Sequence, residues 1–243
     1  MNSIELHARP SIDYETKLAH AIAVLTSAAS DHVGRIVQAT SLGAEDMVLT
    51  HLIASQRLPI AVATLDTGKL HRETLQLIGR AEAALGLRIE VFAPAQQTIV
   101  QFVGRHGERA MFESIALRKA CCALRKLEPL GRALAGRSAW ITGLRRGQSD
   151  HRAEVPFAEA EASGRIKFNP LADWTWGDVW HHIAVHQVPY NPLHDRFFQS
   201  IGCEPCTRAI ALGEDFRAGR WWWEDESAKE CGLHVKQPEG VAA

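Results

Sequence analysis

The sequence predicts an α/β protein, in which a parallel sheet carries helices on both faces and is completed by a C-terminal tail or lid. Strand-like apolar runs alternate with helical periodicity from residue 13 to about residue 170, at the spacing of βαβ units. Three of these runs lead directly into polar or glycine-containing loops. The chain has 243 residues, 46% hydrophobic and 23% charged, so it can bury a core and is not of disordered composition.

The helices are assigned from apolar residues spaced at i, i+3, i+4 and i+7, as at Leu18, Ile22 and Leu25. The strands are short apolar runs bounded by turn residues. The predicted order is helix 13–29, strand 35–40, a helix after the loop 41–46, strand 60–65, helix 71–85, strand 88–92, helix 114–127, strand 139–142 and helix 175–187.

Three loops follow predicted strands directly, at residues 41–46, 66–68 and 143–147. Parallel sheets bind their ligands at the carboxyl ends of the strands, where these loops would lie together. Their joint presence favours a nucleotide pocket, although each loop alone could be a simple turn. The sequence therefore predicts a binding site at this edge of the sheet.

Charge and hydropathy limit the partners and the compartment. The net charge is −1, so no overall basic field indicates nucleic acid, and any anion must be held by a local cluster of cations. The first 21 residues have no apolar signal-peptide core, and no apolar run approaches the ~20 residues of a membrane span. We therefore expect a cytoplasmic protein whose cysteines are reduced.

The five cysteines are arranged as the pair Cys121 and Cys122, the pair Cys203 and Cys206, and the single Cys231. Four thiolates in two close pairs suit a tetrahedral zinc ion or a [4Fe-4S] cluster. Adjacent residues point about 100° apart on a helix, which makes them awkward ligands for one small ion but suitable for separate corners of a cubane. Four buried structural thiols remain the alternative.

The predicted helix 114–127 presents its cysteines among basic residues. We expect one face to carry Leu117, Cys121 and Leu124, and another to carry Arg118, Cys122 and Arg125. An iron–sulfur cluster with four thiolates is a net anion, so neighbouring cations are physically expected. A solvated basic face is the alternative interpretation.

Cys231 lies in the segment Glu230-Cys231-Gly232-Leu233-His234, close to the C-terminus. His234, with Arg217 and Arg220 upstream, supplies positive charge that would stabilise its thiolate, the reactive form of cysteine. Gly232 adds backbone freedom, and the end of the chain is rich in Pro, Gly and Ala. These features predict a reactive thiol that can move between two partners.

Several of these motifs together carry a resemblance to a known family. They are Cys121-Cys122 with Arg125-Lys126, Gly143-Leu144-Arg145-Arg146 with Gln148-Ser149, Ile201 through Thr207, Trp221-Trp222-Trp223-Glu224, and the terminal Glu230 through His234. The chain resembles the assimilatory sulfonucleotide reductases, in the iron–sulfur branch that reduces adenylyl sulfate. The resemblance covers about residues 35–235.

The resemblance implies an adenine-nucleotide α-hydrolase-like fold and one [4Fe-4S] cluster per chain, held by Cys121, Cys122, Cys203 and Cys206. It makes Cys231 the catalytic nucleophile, which forms an S-sulfonate that thioredoxin, or a glutaredoxin-like dithiol protein, resolves. The implied adenosine-pocket residues are Ser41, Gly43, Asp46 and Leu65. The implied phosphosulfate residues are Lys126, Arg145, Arg152, Arg217, Arg220 and His234, with the working arginine of 145–152 left open.

We expect a single catalytic domain over residues 1–243, because the C-terminal third resembles an appendage that closes over the sheet rather than an independent domain. Within it we expect a nucleotide-binding sheet core over about 13–170, a cluster-completing and catalytic segment over about 171–235, and a flexible end over 236–243. A homo-oligomer is left open. No nucleic acid and no membrane are expected as partners.

Two stretches depart from the family pattern. Leu42 stands where a second Ser or a Phe is expected, and Phe197-Phe198-Gln199 stands where the family more often has Gly-Tyr-Pro. Trp221 to Trp223 are interpreted as core or lid packing, and His181, His182, His186 and His194 as packed or solvated. The alternatives are a 3′-phosphoadenylyl-sulfate reductase, an ATP-dependent adenylating enzyme, and a non-catalytic iron–sulfur or zinc module.

Overall fold

The computed structural model describes residues 2–211 and 213–224 of the chain. Its strands are β1 (Ile36–Thr40), β2 (Ala61–Leu65), β3 (Ile89–Phe92), β4 (Ala139–Ile141), β5 (Ala158–Ala160) and β6 (Ile166–Phe168). They form one sheet in the order β3-β2-β1-β4-β6-β5. All pairs are parallel except β5 with β6, and Val37 of β1 lies opposite both Ala61 and Trp140.

The α-helices are α1 (Ser3–His7), α2 (Tyr14–Asp31), α3 (Ala44–Ser55), α4 (Arg72–Leu85), α5 (Gln96–His106), α6 (Ile115–Cys122), α7 (Glu128–Ala133) and α8 (Trp176–His186). A π-helical segment, Ala123–Leu127, joins α6 to α7. Short 3₁₀ turns are at Ala110–Phe112, Arg146–Gln148, Asp150–Arg152, His194–Arg196 and Glu204–Cys206.

The predicted strands correspond to β1 to β4 within two residues at each end. Strands β5 and β6 were not predicted, because three-residue strands are too short to show a pattern. The antiparallel edge strand β5 also makes the sheet mixed rather than purely parallel. Helices α1, α5 and α7 likewise have no counterpart in the prediction.

Alternate residues of β1 are buried on opposite faces of the sheet. Ile36 belongs to the larger core, which includes Leu25 of α2, Met47 of α3 and Trp180 of α8. Val37 belongs to a smaller core on the other face, beneath α7. Helices therefore cover both faces, as the sequence predicts, and α8 is part of the main core.

The carboxylate of Asp178 secures α8 to the N-terminal segment. It accepts hydrogen bonds from Ser11 N at 2.7 Å and from Thr175 N at 2.8 Å, and Lys17 Nζ lies 3.4 Å away. Gly177 completes the contact, because a Cβ atom there would lie 2.0 Å from the Arg9 carbonyl oxygen. In the described part of the chain, no helix combines the length and apolar character needed to cross a bilayer.

Candidate active site

A cavity of about 200 Å³ opens at the carboxyl ends of β1, β2 and β4. Since β2 and β3 lie on one side of β1 while β4 lies on the other, the cavity is at the point where the strand order reverses. Eight of the predicted substrate residues line it, namely Ser41, Gly43, Asp46, Leu65, Lys126, Arg152, Arg217 and Arg220. The structure thus brings together most of that set.

Asp46 organises the loop between β1 and α3. One of its carboxylate oxygens accepts hydrogen bonds from both the backbone N and the Oγ of Ser41, each at 2.6 Å. Burial raises the pKa of Asp46 to about 6, and the Ser41 hydrogen bonds partly oppose this rise. Leu42 is fully buried with φ of 60°, so the residue that departs from the family pattern is a core side chain.

Gly143, just after β4, allows the two loops to approach closely. A Cβ atom at this position would lie 2.5 Å from Asp46 Oδ1 and 3.2 Å from the Asp46 backbone nitrogen. No side chain can occupy that space without moving Asp46. The glycine therefore fixes the contact between the first and third predicted loops.

The basic side of the cavity is formed by Lys126, Arg152, Arg217 and Arg220. The guanidinium of Arg220 packs over the Trp221 ring at 4.7 Å and donates to the Ile201 carbonyl at 3.3 Å. Gly202 makes room for it, since a Cβ atom there would lie 2.6 Å from the guanidinium carbon. Arg220 is thus held rigidly at the cavity wall.

Arg145 lies outside the cavity lining, in contrast to its predicted place among the phosphosulfate residues. It is fully buried, and its Nε and Nη2 donate to Glu45 Oε1 at 3.0 and 2.9 Å. Its guanidinium also faces the rings of Trp176 and Phe216. The guanidinium of Arg145 is therefore occupied by contacts within the protein. In the 145–152 loop, Arg152 is the arginine that lines the cavity.

Glu45, which the sequence analysis did not single out, connects these two arginines. Gln148 Nε2 donates to Glu45 Oε1 at 2.9 Å, and Gln148 Oε1 accepts from Arg152 Nη1 at 2.5 Å. Burial alone would raise the pKa of Glu45, but Arg145 and Gln148 hold it below its usual value. Buried beside Asp46, this carboxylate stays ionised and orients Arg152 through Gln148.

A second, smaller cavity is lined by all four of the predicted ligand cysteines, Cys121, Cys122, Cys203 and Cys206. They form no disulfide, and Thr67 Oγ1 lies 3.2 Å from Cys203 Sγ. Burial raises the pKa of the Cys206 thiol to about 12, with a further contribution from Cys203 and Cys122. Burial also raises the pKa of Cys121, against the effect of Arg125.

Within residues 2–211 and 213–224, no three or more His, Cys, Asp or Glu side chains are grouped closely enough to hold a metal ion. The cavity is lined by cysteines from two separate chain segments and also by the basic residues Lys69, Arg118, Arg125 and Lys126. Lys126 lines both cavities and so lies between them.

Of the two faces expected on the helix 114–127, the one with Arg118, Cys122 and Arg125 lines the cysteine cavity, but Cys121, expected on the other face, lines it as well. The helix is α6 followed by a π-helical segment from Ala123. Arg125 is buried like Cys121, and its Nη1 donates to the Thr67 carbonyl at 2.7 Å. Cys121 and Cys122 therefore line one cavity together with Arg125 and Lys126. A widened turn is not visible in the apolar periodicity.

Trp221 and Glu224 attach the end of the described chain to the cysteine cavity. Arg118 pairs with Glu224 through two hydrogen bonds of 3.0 and 2.7 Å, and its guanidinium faces Trp221 at 4.5 Å. Trp221 is fully buried and packs with the cysteines, which supports its interpretation as core packing. Trp222 remains exposed. The predicted Cys231 and His234 lie outside the described residues.

The sequence analysis interpreted four histidines as packed or solvated. In the structure their surroundings differ. His182 is buried between Tyr14 Oη and His51 Nδ1, at 2.9 Å from each, while His186 is exposed. His194 is buried as well, but it lines the larger cavity. Only the folded arrangement distinguishes these positions, because the sequence shows no difference between them.

Comparison with known proteins gives a family for this arrangement. The phosphoadenosine phosphosulfate reductase domain matches residues 35–209, which include both cavities apart from their C-terminal residues. The chain belongs to this family. Adenosine 5′-phosphosulfate reductase of Allochromatium vinosum is 54% identical over 233 residues, covering 94% of this chain and 91% of that protein. The enzyme of the same name from Burkholderia cepacia is 56% identical over 198 residues, covering 81% of this chain and 79% of that protein.

Solved structures agree with the fold expected for a sulfonucleotide reductase. Phosphoadenylyl-sulfate reductase from Candida auris, in a phosphate complex, has a TM-score of 0.66 at 27% identity, covering 82% of this chain and 94% of that one. FMN adenylyltransferase from Candida glabrata has a TM-score of 0.56 at 11% identity, covering 95% of this chain and 77% of that one. At this identity the similarity shows only a common fold. The predicted fold class and family are confirmed.

Proposed function

We propose that this sulfonucleotide reductase converts adenosine 5′-phosphosulfate to sulfite and AMP in sulfate assimilation. The observation that carries the proposal is that four cations line a cavity of about 200 Å³ at the reversal point of the sheet, next to a cavity lined by four cysteines. The relatives at 52–56% identity that bear the name adenosine 5′-phosphosulfate reductase support the same substrate.

The cavity has an apolar part that suits an adenine ring. Ala39, Leu65, Leu130 and Trp140 line it, on the face of the sheet covered by α7. Ser41, Gly43 and Asp46 provide polar groups at its edge. Such a combination of apolar wall and few fixed polar groups is typical of nucleotide pockets.

The basic part suits the phosphosulfate. Both this substrate and an attacking thiolate are anions, so their approach costs Coulomb energy that a buried cationic site offsets. Lys126, Arg152, Arg217 and Arg220 supply this charge at the cavity wall. The same cations stabilise the charge that grows on the phosphate of the departing AMP.

In the proposed reaction the Cys231 thiolate attacks the sulfur of the phosphosulfate. The bond between that sulfur and the bridging oxygen breaks, AMP leaves with the electron pair, and Cys231 becomes an S-sulfonate. A thiolate of a dithiol protein, thioredoxin or a glutaredoxin-like protein, then attacks the Cys231 sulfur and releases sulfite. Its second thiol resolves the mixed disulfide, so the dithiol supplies both electrons. His234 is proposed to face the phosphosulfate during these steps.

The four cysteines are proposed to hold one [4Fe-4S] cluster. The donor set supports this, because thiols from two segments line one cavity that is also lined by cations. A bound cluster would add charge beside Lys126 and tie α6 to the segment 203–206. The cytoplasm, where thiols remain reduced, is the proposed location. The division into a sheet core of about 13–170 and a C-terminal segment of about 171–235 remains a prediction.

The decisive experiment is to incubate the cluster-loaded protein with adenosine 5′-phosphosulfate and no reductant, and to weigh the protein and its peptides. We expect one added SO₃ group on the Cys231 peptide, and none in Cys231→Ser, which still binds AMP. A parallel reaction with 3′-phosphoadenylyl sulfate at equal concentration tests the alternative substrate. If neither donor leaves an adduct while wild-type protein releases sulfite, the covalent mechanism is wrong.

The cluster is tested separately by Cys203→Ser, which removes one proposed ligand. We expect loss of bound iron, of the visible absorption and of activity. Thr67→Val is the matched control, since it removes the 3.2 Å contact to Cys203 Sγ but no thiol. Unchanged iron content in Cys203→Ser would show that these cysteines do not hold the cluster.

A further inference from the structure

We propose that the side-chain amide of Gln199 donates a hydrogen bond to an oxygen of the phosphosulfate, and so acts as a specificity-determining residue for the anionic end of the substrate. The inference rests on the proposed function, in which a sulfonucleotide occupies the larger cavity. The motifs did not place this side chain in the site, because Gln199 stands where the resembled family more often has proline, which has no side-chain donor.

Gln199 lines the larger cavity, and so do the three residues that follow it. Two of them hold the guanidinium of Arg220, which donates from Nη1 to Ser200 Oγ at 3.5 Å and to the Ile201 carbonyl at 3.3 Å. The third, Gly202, leaves room for that guanidinium. Gln199 therefore belongs to a stretch of the cavity wall that also carries a cation, where the phosphosulfate is proposed to lie.

The amide of Gln199 is available to a ligand. The residue is partly exposed, and within residues 2–211 and 213–224 its side chain has no hydrogen-bond partner. Its amide is also not among the polar atoms that are closed off from solvent without a partner. Hydrogen bonds to a charged group are stronger than those between neutral groups, so an oxyanion in the cavity is a favourable acceptor for this amide.

The backbone around Gln199 is held on both sides. Phe198 N donates to the Leu193 carbonyl at 3.2 Å. On the other side, Gly202 N donates to Thr207 Oγ1 at 3.0 Å. Substrate binding therefore has to order the side-chain torsions of Gln199 but not its backbone, which limits the entropic cost of the contact.

Titration calorimetry of the full-length, cluster-loaded protein with adenosine, AMP and ADP tests this contact. The three probes share the nucleoside, AMP adds the phosphate, and the terminal phosphate of ADP takes the place of the sulfate. We expect Gln199→Leu to weaken ADP binding about five- to tenfold, in line with one lost hydrogen bond, and to leave adenosine binding unchanged. An equal loss for AMP would assign the contact to the phosphate, and a loss for ADP alone would assign it to the sulfate position.

Gln199→Glu keeps the shape of the side chain but replaces the donor with a negative charge. We expect it to weaken ADP binding more than Gln199→Leu does, again without affecting adenosine. Gln101→Glu is the matched control, because it makes the same change at an exposed position of α5 and should leave all three affinities unchanged.

If Gln199→Leu does not fold, as judged by thermal unfolding, Gln199→Asn takes its place, since its shorter side chain withdraws the amide. ADP affinity equal to that of wild type, or an equal loss for ADP and adenosine, overturns the proposal while leaving the proposed function intact. A wild-type protein that binds none of the three probes overturns the proposed function as well.

Discussion

At the scale of single residues, one wall of the cavity depends on a buried ion pair, of which Glu45 lines the cavity and Arg145 does not. Glu45 receives hydrogen bonds from Arg145 and Gln148, and Gln148 in turn accepts one from Arg152 at the cavity wall. A buried carboxylate is stable in this position only because a buried cation lies beside it. The orientation of Arg152 thus follows, through Gln148, from the buried pair of Glu45 with Arg145.

Glu45→Gln removes the negative charge while keeping the shape of the side chain. We expect AMP binding to weaken by about tenfold, because Gln148 and Arg152 lose their fixed orientation, equivalent to about 1.4 kcal/mol. The same change in an Arg152→Ala background should have little further effect. Calorimetry of the two single variants and the double variant checks this, and additive losses would show that Glu45 acts by another route.

Phe197 adopts a left-handed backbone conformation, with φ of 64°, at the position where the resembled family more often has glycine. That conformation costs a non-glycine residue about 1–2 kcal/mol. Substitution by glycine removes this cost, but the greater conformational entropy of glycine in the unfolded chain offsets part of the stabilisation. We expect Phe197→Gly to raise the free energy of unfolding by about 0.5–1 kcal/mol in urea titrations. Phe197→Ala keeps the left-handed strain, so it should not raise the free energy of unfolding. An equal increase in both variants would contradict this explanation.

At the scale of elements, the π-helical segment between α6 and α7 decides which side chains meet the cysteine cavity. It carries Arg125 and Lys126 to the same side as Cys121 and Cys122. The segment 221–224 borders the same cavity, since Trp221 lines it and Glu224 pairs with Arg118. The cavity therefore depends on two stretches of chain that are far apart in sequence.

Glu224→Gln breaks the buried ion pair with Arg118. Since both side chains are almost fully buried, we expect a loss of about 3 kcal/mol in the free energy of unfolding and faster loss of iron. Glu214→Gln is the control, because its partner Arg208 is on the surface and such pairs contribute about 0.5 kcal/mol. Urea unfolding and iron release measure both variants, and an equal effect in the two would show that burial of the pair is unimportant.

At the scale of the whole molecule, helices that are far apart in sequence share one core, and they bury ionisable groups where they meet. Tyr14 of α2, His51 of α3 and His182 of α8 form a continuous hydrogen-bonded chain. Burial lowers the pKa of His182 to about 3, and the neighbouring histidines add to the shift. The stability of the fold is thereby linked to pH.

The direction of this linkage follows from the two states. Unfolded His182 gains a proton below about pH 6.5, whereas folded His182 does not until about pH 3. The stability it contributes is complete above pH 6.5 and falls as the pH drops towards 3, by about 1.4 kcal/mol per unit. Asp46, whose pKa of about 6 lies above its usual value, acts in the opposite sense, since protonation below pH 6 favours its folded form.

The comparison of wild type with His182→Asn isolates the histidine from other groups. We expect the wild type to be the more stable at about pH 7.5, and its advantage to shrink by about 2 kcal/mol by about pH 5. Urea unfolding at several pH values measures the difference. An advantage that stays constant across this range would mean that His182 is protonated to the same extent in the folded and unfolded chain.

The sequence by itself determined the elements with strong local patterns and the identity of the chemistry. Apolar periodicity located β1 to β4 and most helices, and cysteine spacing with the flanking basic residues selected the family. These features can be predicted because a strand, a helix or a pair of ligand cysteines is determined by a few neighbouring residues. Eight substrate residues predicted from motifs also line one cavity.

Only the tertiary structure decided which of several similar residues lines the larger cavity. Arg145 and Arg152 lie in one loop, and His182 and His194 near one helix, yet one member of each pair lines the cavity while the other is buried against the core. Which member lines the cavity depends on contacts with Glu45, Trp176 and Tyr14, which belong to other elements of the fold. Burial and pairing are properties of the assembled core, so no local pattern in the sequence encodes them.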